Sequence, residues 1–159
     1  MTTENEIVLT AEGLKRIEQE LERLRTVDRK EVAERIRESK DFGELSENSE
    51  YEDAKNQQAF VEGRILELKR VLHNALVIDA DEVKTDSVGI GSKVKVRDLD
   101  TKDEWVYTIV GSIEADPAED RISNESPVGE ALMDRKVGEK LTIETPAGQM
   151  HLKIVKITK

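Results

Sequence analysis

Cysteine is absent from the 159 residues, which excludes disulfide frameworks, zinc–thiolate centres and thiol nucleophiles. Aromatic residues are only 3% of the chain and hydrophobic residues only 36%, poor material for one large globular core. No apolar stretch approaches the roughly 18 residues of a membrane span, and the amino terminus has neither the basic start nor the apolar run of a secretory leader. A cytoplasmic protein without a membrane partner is expected. An excess of positive charge is also missing: 25 Lys and Arg face 35 Asp and Glu, for a net charge of −10. Tight, unaided binding to a nucleic-acid backbone is disfavoured, although a partner that itself carries nucleic acid is not. The two histidines, His73 and His151, lie far apart and have no cysteine to join, so neither anchors a metal site or a catalytic triad. Gly89-Ile90-Gly91 lacks the third glycine and following helix of a dinucleotide fingerprint and reads as a sharp turn.

Charge is what the chain has in abundance, at 38% of residues, and the apolar residues between the charges are periodic, which argues against disorder. A first helix is predicted from Thr10, a good N-cap. Leu14, Ile17, Leu21 and Leu24 then step by three, four and three, the pattern of an a/d seam. After Val27 the heptad lapses, and Val32 and Ile36 continue the stripe in a shifted phase, which predicts a bend or local change of winding. A second helix has the cleaner register: Tyr51, Ala54, Gln58, Val61, Ile65, Leu68 and Leu72 alternate steps of three and four. Ser49 and Glu52 have the spacing of a capping box at its start. The two helices are expected to pair as an antiparallel coiled-coil hairpin over residues 1–78.

After His73-Asn74 the pattern changes. Val77-Ile78 reads as a short extended piece and Asp79 to Ser87 as a linker. Val94 and Val96 alternate with Lys93, Lys95 and Arg97, Trp105 to Val110 is rich in β-formers, and Asp98 to Asp103 supplies turn residues between them. A second strand pair is expected at Leu141-Thr142-Ile143 and Leu152 to Ile157, with a short helix at about Gly129 to Met133 after Pro127. The fold class is therefore α+β: a long helical hairpin followed, over 79–159, by a small antiparallel-sheet domain. The negative charge is shared evenly between the halves, so net charge assigns function to neither.

The most distinctive run is Asp41 to Asp53, which holds six carboxylates and no basic residue between Lys40 and Lys55. In an antiparallel hairpin it occupies the far tip. Glu44 and Glu47, three apart, can face one way and are hard oxygen ligands suited to Mg²⁺ or to positioning a water. An acidic run is also, commonly, a solvated loop that limits aggregation. Arg37, Lys40 and Lys55 flank the run. They can pair with acids across the hairpin or meet a phosphate backbone as point charges. Tyr51 fits the seam, whereas Phe42 stands as a candidate exposed contact.

The string Gly43-Glu44-Leu45-Ser46-Glu47-Asn48-Ser49-Glu50-Tyr51, followed by Ala54-Lys55 and Gln57-Gln58, closely resembles the tip of bacterial transcript-cleavage factors of the GreA/GreB family. Phe60 to Ile65, Val77-Ile78-Asp79, Ile109-Val110-Gly111, Ile122-Ser123, Ser126-Pro127-Val128-Gly129, Ala131-Leu132 and Val137-Gly138 continue the likeness over nearly the whole chain. The resemblance implies a C-terminal domain like the FKBP fold that binds RNA polymerase. The coiled coil then enters the secondary channel and reaches the extruded 3′ end of the nascent RNA in backtracked complexes. On that likeness Glu44 and Glu47 act in the polymerase active centre on a shared Mg²⁺, while Arg37, Lys40 and Lys55 face the RNA. Gly43, Asn48 and Tyr51 support the tip. The isolated protein, a monomer, binds no cofactor and is not itself an enzyme, because the hydrolysis is the polymerase's own. Glu44 departs from the family pattern, which usually has Asp there, so the carboxylate reaches one methylene further. The sparse basic surface places the chain nearer the GreA branch.

Two other functions fit the same residues. One is a channel-plugging inhibitor of RNA polymerase of the same fold, whose carboxylates trap the metal unproductively; the sign of the effect on cleavage separates it from the cleavage factor. The other is a proline-isomerase or peptide-binding module built on the sheet domain, for which Trp105 and Tyr107 are among the few aromatics that could line a pocket.

Overall fold

The computed structural model of the chain describes residues 7–41 and 49–159. They divide into two compact units, one made of Leu14–Asn74 and the other of the residues up to Gly13 together with Ala75–Lys159.

The Leu14–Asn74 unit is a helical hairpin. Its first arm consists of α1 (Ala11–Arg23, entering the unit at Leu14), a π-helical turn (Leu24–Asp28) and α2 (Arg29–Lys40); the second is α3 (Ser49–His73). Ile17, Leu21 and Leu24 are buried as the seam predicts, but the next buried apolar residue is Val32, eight positions beyond Leu24 instead of seven. The π turn absorbs that extra residue. The Arg29 N–H donates to the Leu24 carbonyl five residues back, and the Thr26 hydroxyl donates to the Glu22 carbonyl in the same stretch (2.8 Å). One residue is thereby inserted and the apolar stripe stays on one face. This is the change of winding expected from the lapsed heptad. On α3, Ala54, Val61, Ile65, Leu68 and Val71 are buried, while Tyr51, Gln58 and Leu72 are half-buried.

The arms are held in antiparallel register by arginines. Arg29 grips Glu62 bidentately (2.8 and 2.8 Å), Arg64 grips Glu20 (2.7 and 3.1 Å), and Arg35 reaches Gln57 (2.6 Å) and Glu50 (3.4 Å). The guanidinium of Arg29 holds the Glu62 carboxyl below its ordinary range. Forked, charge-assisted contacts of this kind fix register more than they add stability at an exposed surface.

In the other unit, β1 (Ile7–Thr10) pairs with β2 (Ala75–Ile78) in parallel, Ile7 opposite Ala75 through Thr10 opposite Ile78. The remaining strands are β3 (Lys93–Asp98), β4 (Glu104–Val110), β5 (Arg121–Ser123), β6 (Lys140–Thr145) and β7 (Gly148–Thr158). They form a five-stranded sheet in the order β5-β4-β3-β7-β6. The expectation of an antiparallel sheet needs one correction: β5 lies parallel to β4. A three-residue strand reached through two turns and a left-handed Asp120 (φ 56°) carries no period-2 signal to reveal it. The predicted boundary at 78/79 also differs from this partition, since β1 and β2 hold each other in the sheet-containing unit.

Val88, Val94, Val96, Ile109, Leu132, Leu141, Ile143, Leu152, Ile154 and Ile157 form one buried cluster. Trp105 and Tyr107 pack against it as an edge-to-face pair with ring centroids 5.9 Å apart, and burial pushes the Tyr107 phenol upward. The β3–β4 turn is organised by Asp98, whose carboxylate accepts from the Asp100 and Thr101 N–H groups and is lowered by them. At Gly89–Ser92 the expected sharp turn is present, with Gly91 at φ +92° and a Ser92 N–H to Gly89 O bond of 3.0 Å.

The helix α4 (Pro127–Leu132) is capped by Ser126, whose hydroxyl accepts from the Gly129 N–H (3.1 Å) and donates to the Ser123 carbonyl (2.6 Å). Gly129 sits so close to that carbonyl that a Cβ would overlap it. Gly129→Ala is therefore expected to destabilise this unit by about 1–3 kcal/mol, as overpacking against fixed backbone does, measured by urea unfolding. Among the described residues no helix is long and apolar enough to cross a membrane.

Candidate functional site

The end of the hairpin where α2 stops and α3 starts is where the sequence places the chemistry. α2 closes on Asp41, whose N–H bonds the Glu38 and Ser39 carbonyls. Arg37 and Lys40 occupy its last turn, where cations complement the helix dipole. α3 opens with Glu50 and Glu52 in its first turn, the complementary arrangement. Lys40 Nζ lies 6.0 Å from the centroid of the Tyr51 ring, a cation–π approach joining the two arms. Tyr51 is half-buried at this end. Ser39 is buried, its hydroxyl donating to the Ile36 carbonyl (2.8 Å).

Arg37, Lys40 and Lys55 are all exposed. The alternative in which they pair with acids across the hairpin is not what forms among the described residues. Arg29, Arg35 and Arg64 make those pairs, and Lys55 donates to Gln58 on its own helix (3.3 Å). Glu50, Glu52 and Asp53 belong to exposed helix. Ser49 is the first helical residue of α3. Phe42, Gly43, Glu44, Glu47 and Asn48, named from the sequence, lie in the segment joining Asp41 to Ser49, outside the described residues. No grouping of three or more His, Asp and Glu among the described residues could hold a metal ion.

A second polar cluster was not legible in the sequence. The Glu114 side chain, only 4% exposed, accepts from the Thr10 N–H (2.8 Å), the Thr10 hydroxyl (2.6 Å) and Arg121 (3.0 Å). The Thr10 hydroxyl also accepts from the Gly13 N–H (3.0 Å), which confirms it as the N-cap of α1. Arg121 is itself 10% exposed, with Glu12 at 3.9 Å. A residue that caps a helix at position 10 and is gripped from position 114 leaves no local pattern to read. This cluster ties the chain start to the sheet and is a structural joint. Trp105 and Tyr107 pack against the core cluster.

The two halves of the chain match two family descriptions: "Transcription elongation factor, N-terminal" over residues 7–77, and "Transcription elongation factor, GreA/GreB, C-term" over residues 83–159. The chain is 55% identical to the transcription elongation factor GreA of Acetivibrio thermocellus over 159 residues, covering 100% of both. It is 56% identical over 151 residues to that of Caldanaerobacter subterraneus subsp. tengcongensis, covering 95% of this chain and 96% of the relative. Among solved structures, GreA factor homolog 1 of Thermus thermophilus aligns with 97% of this chain and 99% of its own at 29% identity, with a TM-score of 0.44. With both halves matched and full-length relatives above half identical, the chain belongs to the GreA/GreB family of transcription elongation factors.

Proposed function

We propose that this protein binds RNA polymerase as a monomer in the cytoplasm, through its sheet-containing unit. The helical hairpin enters the secondary channel, and the protein stimulates the polymerase's own endonucleolytic cleavage of the nascent RNA 3′ end in backtracked, arrested complexes. The sheet-containing unit is proposed to be FKBP-like. The observation that carries the reading is the hairpin end: two arms locked in antiparallel register converge on the segment holding Glu44 and Glu47, flanked by cations left without acid partners among the described residues. A rod of this kind delivers its tip far from its base, since each helical residue adds about 1.5 Å.

In this role Glu44 and Glu47 would hold, through their carboxylate oxygens, a Mg²⁺ shared with the polymerase active centre, and that ion would supply charge neutralisation at the scissile phosphodiester. Arg37, Lys40 and Lys55 hold the RNA backbone electrostatically. The factor carries no catalytic cycle of its own. Lys40→Gln and Lys55→Gln are expected to lower cleavage of backtracked complexes by about three- to tenfold each, consistent with losing one charged contact of about 1 kcal/mol. Their circular dichroism should remain that of the parent.

The test is direct: purified RNA polymerase is halted in a backtracked register and the released 3′ RNA fragments are measured with and without the protein. Accelerated release supports the proposal. Slowed cleavage and slowed nucleotide addition would instead identify a channel-plugging inhibitor.

A further inference from the structure

Lys93, Thr108 and Arg121 stand in one row across three strands. Lys93 on β3 is opposite Thr108 on β4, and Thr108 is opposite Arg121 on β5. Residues opposed in a ladder share one face of the sheet, so two cations flank a hydroxyl there. All three line a cavity of about 200 Å³ in the sheet-containing unit. Lys159 adds a third cation to its wall, and Glu12 is the one acid in it. Thr10 and Ala11, where α1 begins, complete the polar side, and a helix start carries partial positive charge. Ile78 and Val83 supply an apolar side. A chain with net charge −10 thus surrounds this space with an excess of cations. Arg121 is the decisive member. Its side chain is only 10% exposed, and its buried Nε has no hydrogen-bond partner. Its Nη2 donates to Glu114 (3.0 Å), which also accepts from the Thr10 N–H and hydroxyl and is therefore already shared among three donors. Glu12, 3.9 Å from Nη1, is beyond hydrogen-bond length. A buried N–H without an acceptor is costly, and such exceptions often mark a place where an ion is held.

We infer that this cavity binds the phosphate group of a small molecule. The donors come from different elements, β3, β4, β5 and the start of α1, so they approach from several sides. A tetrahedral phosphate offers oxygens in several directions and suits that arrangement. A carboxylate is planar and is matched best by an undivided guanidinium fork. Here the fork is divided, because Nη2 is committed to Glu114. Nε then takes one phosphate oxygen, while Lys93 and Lys159 act on the others as point charges. The helix start adds its dipole, as it does at many phosphate sites. The cavity is smaller than the roughly 300–1,000 Å³ that drug-sized ligands occupy. It therefore takes a phosphate or pyrophosphate, or a phosphate on a short stem lying against Ile78 and Val83. Bound phosphate joins the start of α1 to β3 and β5. Because it binds the folded state, it also raises the stability of this unit.

The experiment titrates the full ¹⁵N-labelled chain with inorganic phosphate, with pyrophosphate and with citrate, at fixed ionic strength so that screening stays constant. The Arg121 Nε–H resonance, identified by its loss in Arg121→Lys, should shift saturably with phosphate or pyrophosphate, with a dissociation constant below about 1 mM. Citrate, the carboxylate control, should bind at least about tenfold more weakly. Lys93→Gln should weaken phosphate binding by about threefold or more, while Lys153→Gln, outside the cavity, should leave it unchanged. Calorimetric titration of the parent and the two lysine variants reads the same affinities without relying on the folding of Arg121→Lys. No saturable binding of either phosphate ligand up to about 10 mM, citrate binding as tightly as phosphate, or equal affinities in Lys93→Gln and the parent would each overturn the inference. Unchanged circular dichroism of the lysine variants separates loss of contact from loss of fold. Cleavage of backtracked complexes is scored separately in phosphate-free buffer, so failure here leaves the reading of the hairpin tip standing, and the reverse.

Discussion

Glu44→Gln together with Glu47→Gln is expected to abolish stimulation of transcript cleavage, by about 10²-fold or more, while leaving polymerase binding within about twofold. Glutamine keeps the size and hydrogen-bonding shape of each side chain and removes the charge, so the loss reports the carboxylates' electrostatic and proton-accepting work. Removing one such group commonly costs 10²–10⁴ in rate. Each single variant should lose most of the effect, because groups that act as a unit are not additive. Glu44→Asp is the sharper probe. It keeps the carboxylate and shortens the reach by one methylene, so activity within about tenfold of the parent is expected. The readout is the rate of 3′ fragment release from backtracked complexes, beside a competition binding assay. If the double glutamine variant stimulates like the parent, the assignment of Glu44 and Glu47 fails.

The second large effect is on stability. Glu114→Ala should destabilise the sheet-containing unit by about 3–5 kcal/mol, the usual cost of leaving a buried charge without its partner. Arg121, 10% exposed, would keep only Glu12 at 3.9 Å, and the first turn of α1 would lose two hydrogen bonds at Thr10. Glu114→Gln, which retains an acceptor for Thr10, should cost less, about 1–3 kcal/mol. Replacing both partners, Glu114→Gln with Arg121→Met, should recover much of the Glu114→Ala loss, because a buried pair exchanged for neutral groups of similar volume is often nearly neutral. Trp105 is the chain's one tryptophan and lies in β4, so its fluorescence follows this unit during urea unfolding. Ellipticity follows the hairpin in the same titration. A loss below about 0.5 kcal/mol in Glu114→Ala would show that the cluster is not the joint described above.

The periodic elements were readable because their neighbours in space are neighbours in pattern. The seam of α3 and the alternation of β3 and β7 declare a buried face, although Val71 and not Leu72 takes the last buried place of α3 and a register shift interrupts the β3–β7 pairing, and Pro127 announces α4 by its place in the first helical turn. Even the slip after Leu24 showed as a heptad lapse, though only the backbone revealed that a π turn takes up the extra residue. β1 and β5 were not readable in this way. Four and three residues are too few to show a period, and each pairs in parallel with a strand whose sequence says nothing about it.

For the functional residues the division is the same. Glu44 and Glu47 were singled out by sequence alone, from an uninterrupted acidic run between two heptad helices and its likeness to a family tip. Tertiary structure decided which cations the hairpin consumes. Arg29, Arg35 and Arg64 close on acids of the opposite arm, while Lys40 rests against Tyr51 and stays exposed with Arg37 and Lys55. It also decided that Lys95 faces Lys156 and Arg97 faces Lys153 across the sheet. Local periodicity follows from the chain's own geometry. Which distant charges meet depends on register, and register is set only when strands and helices pack.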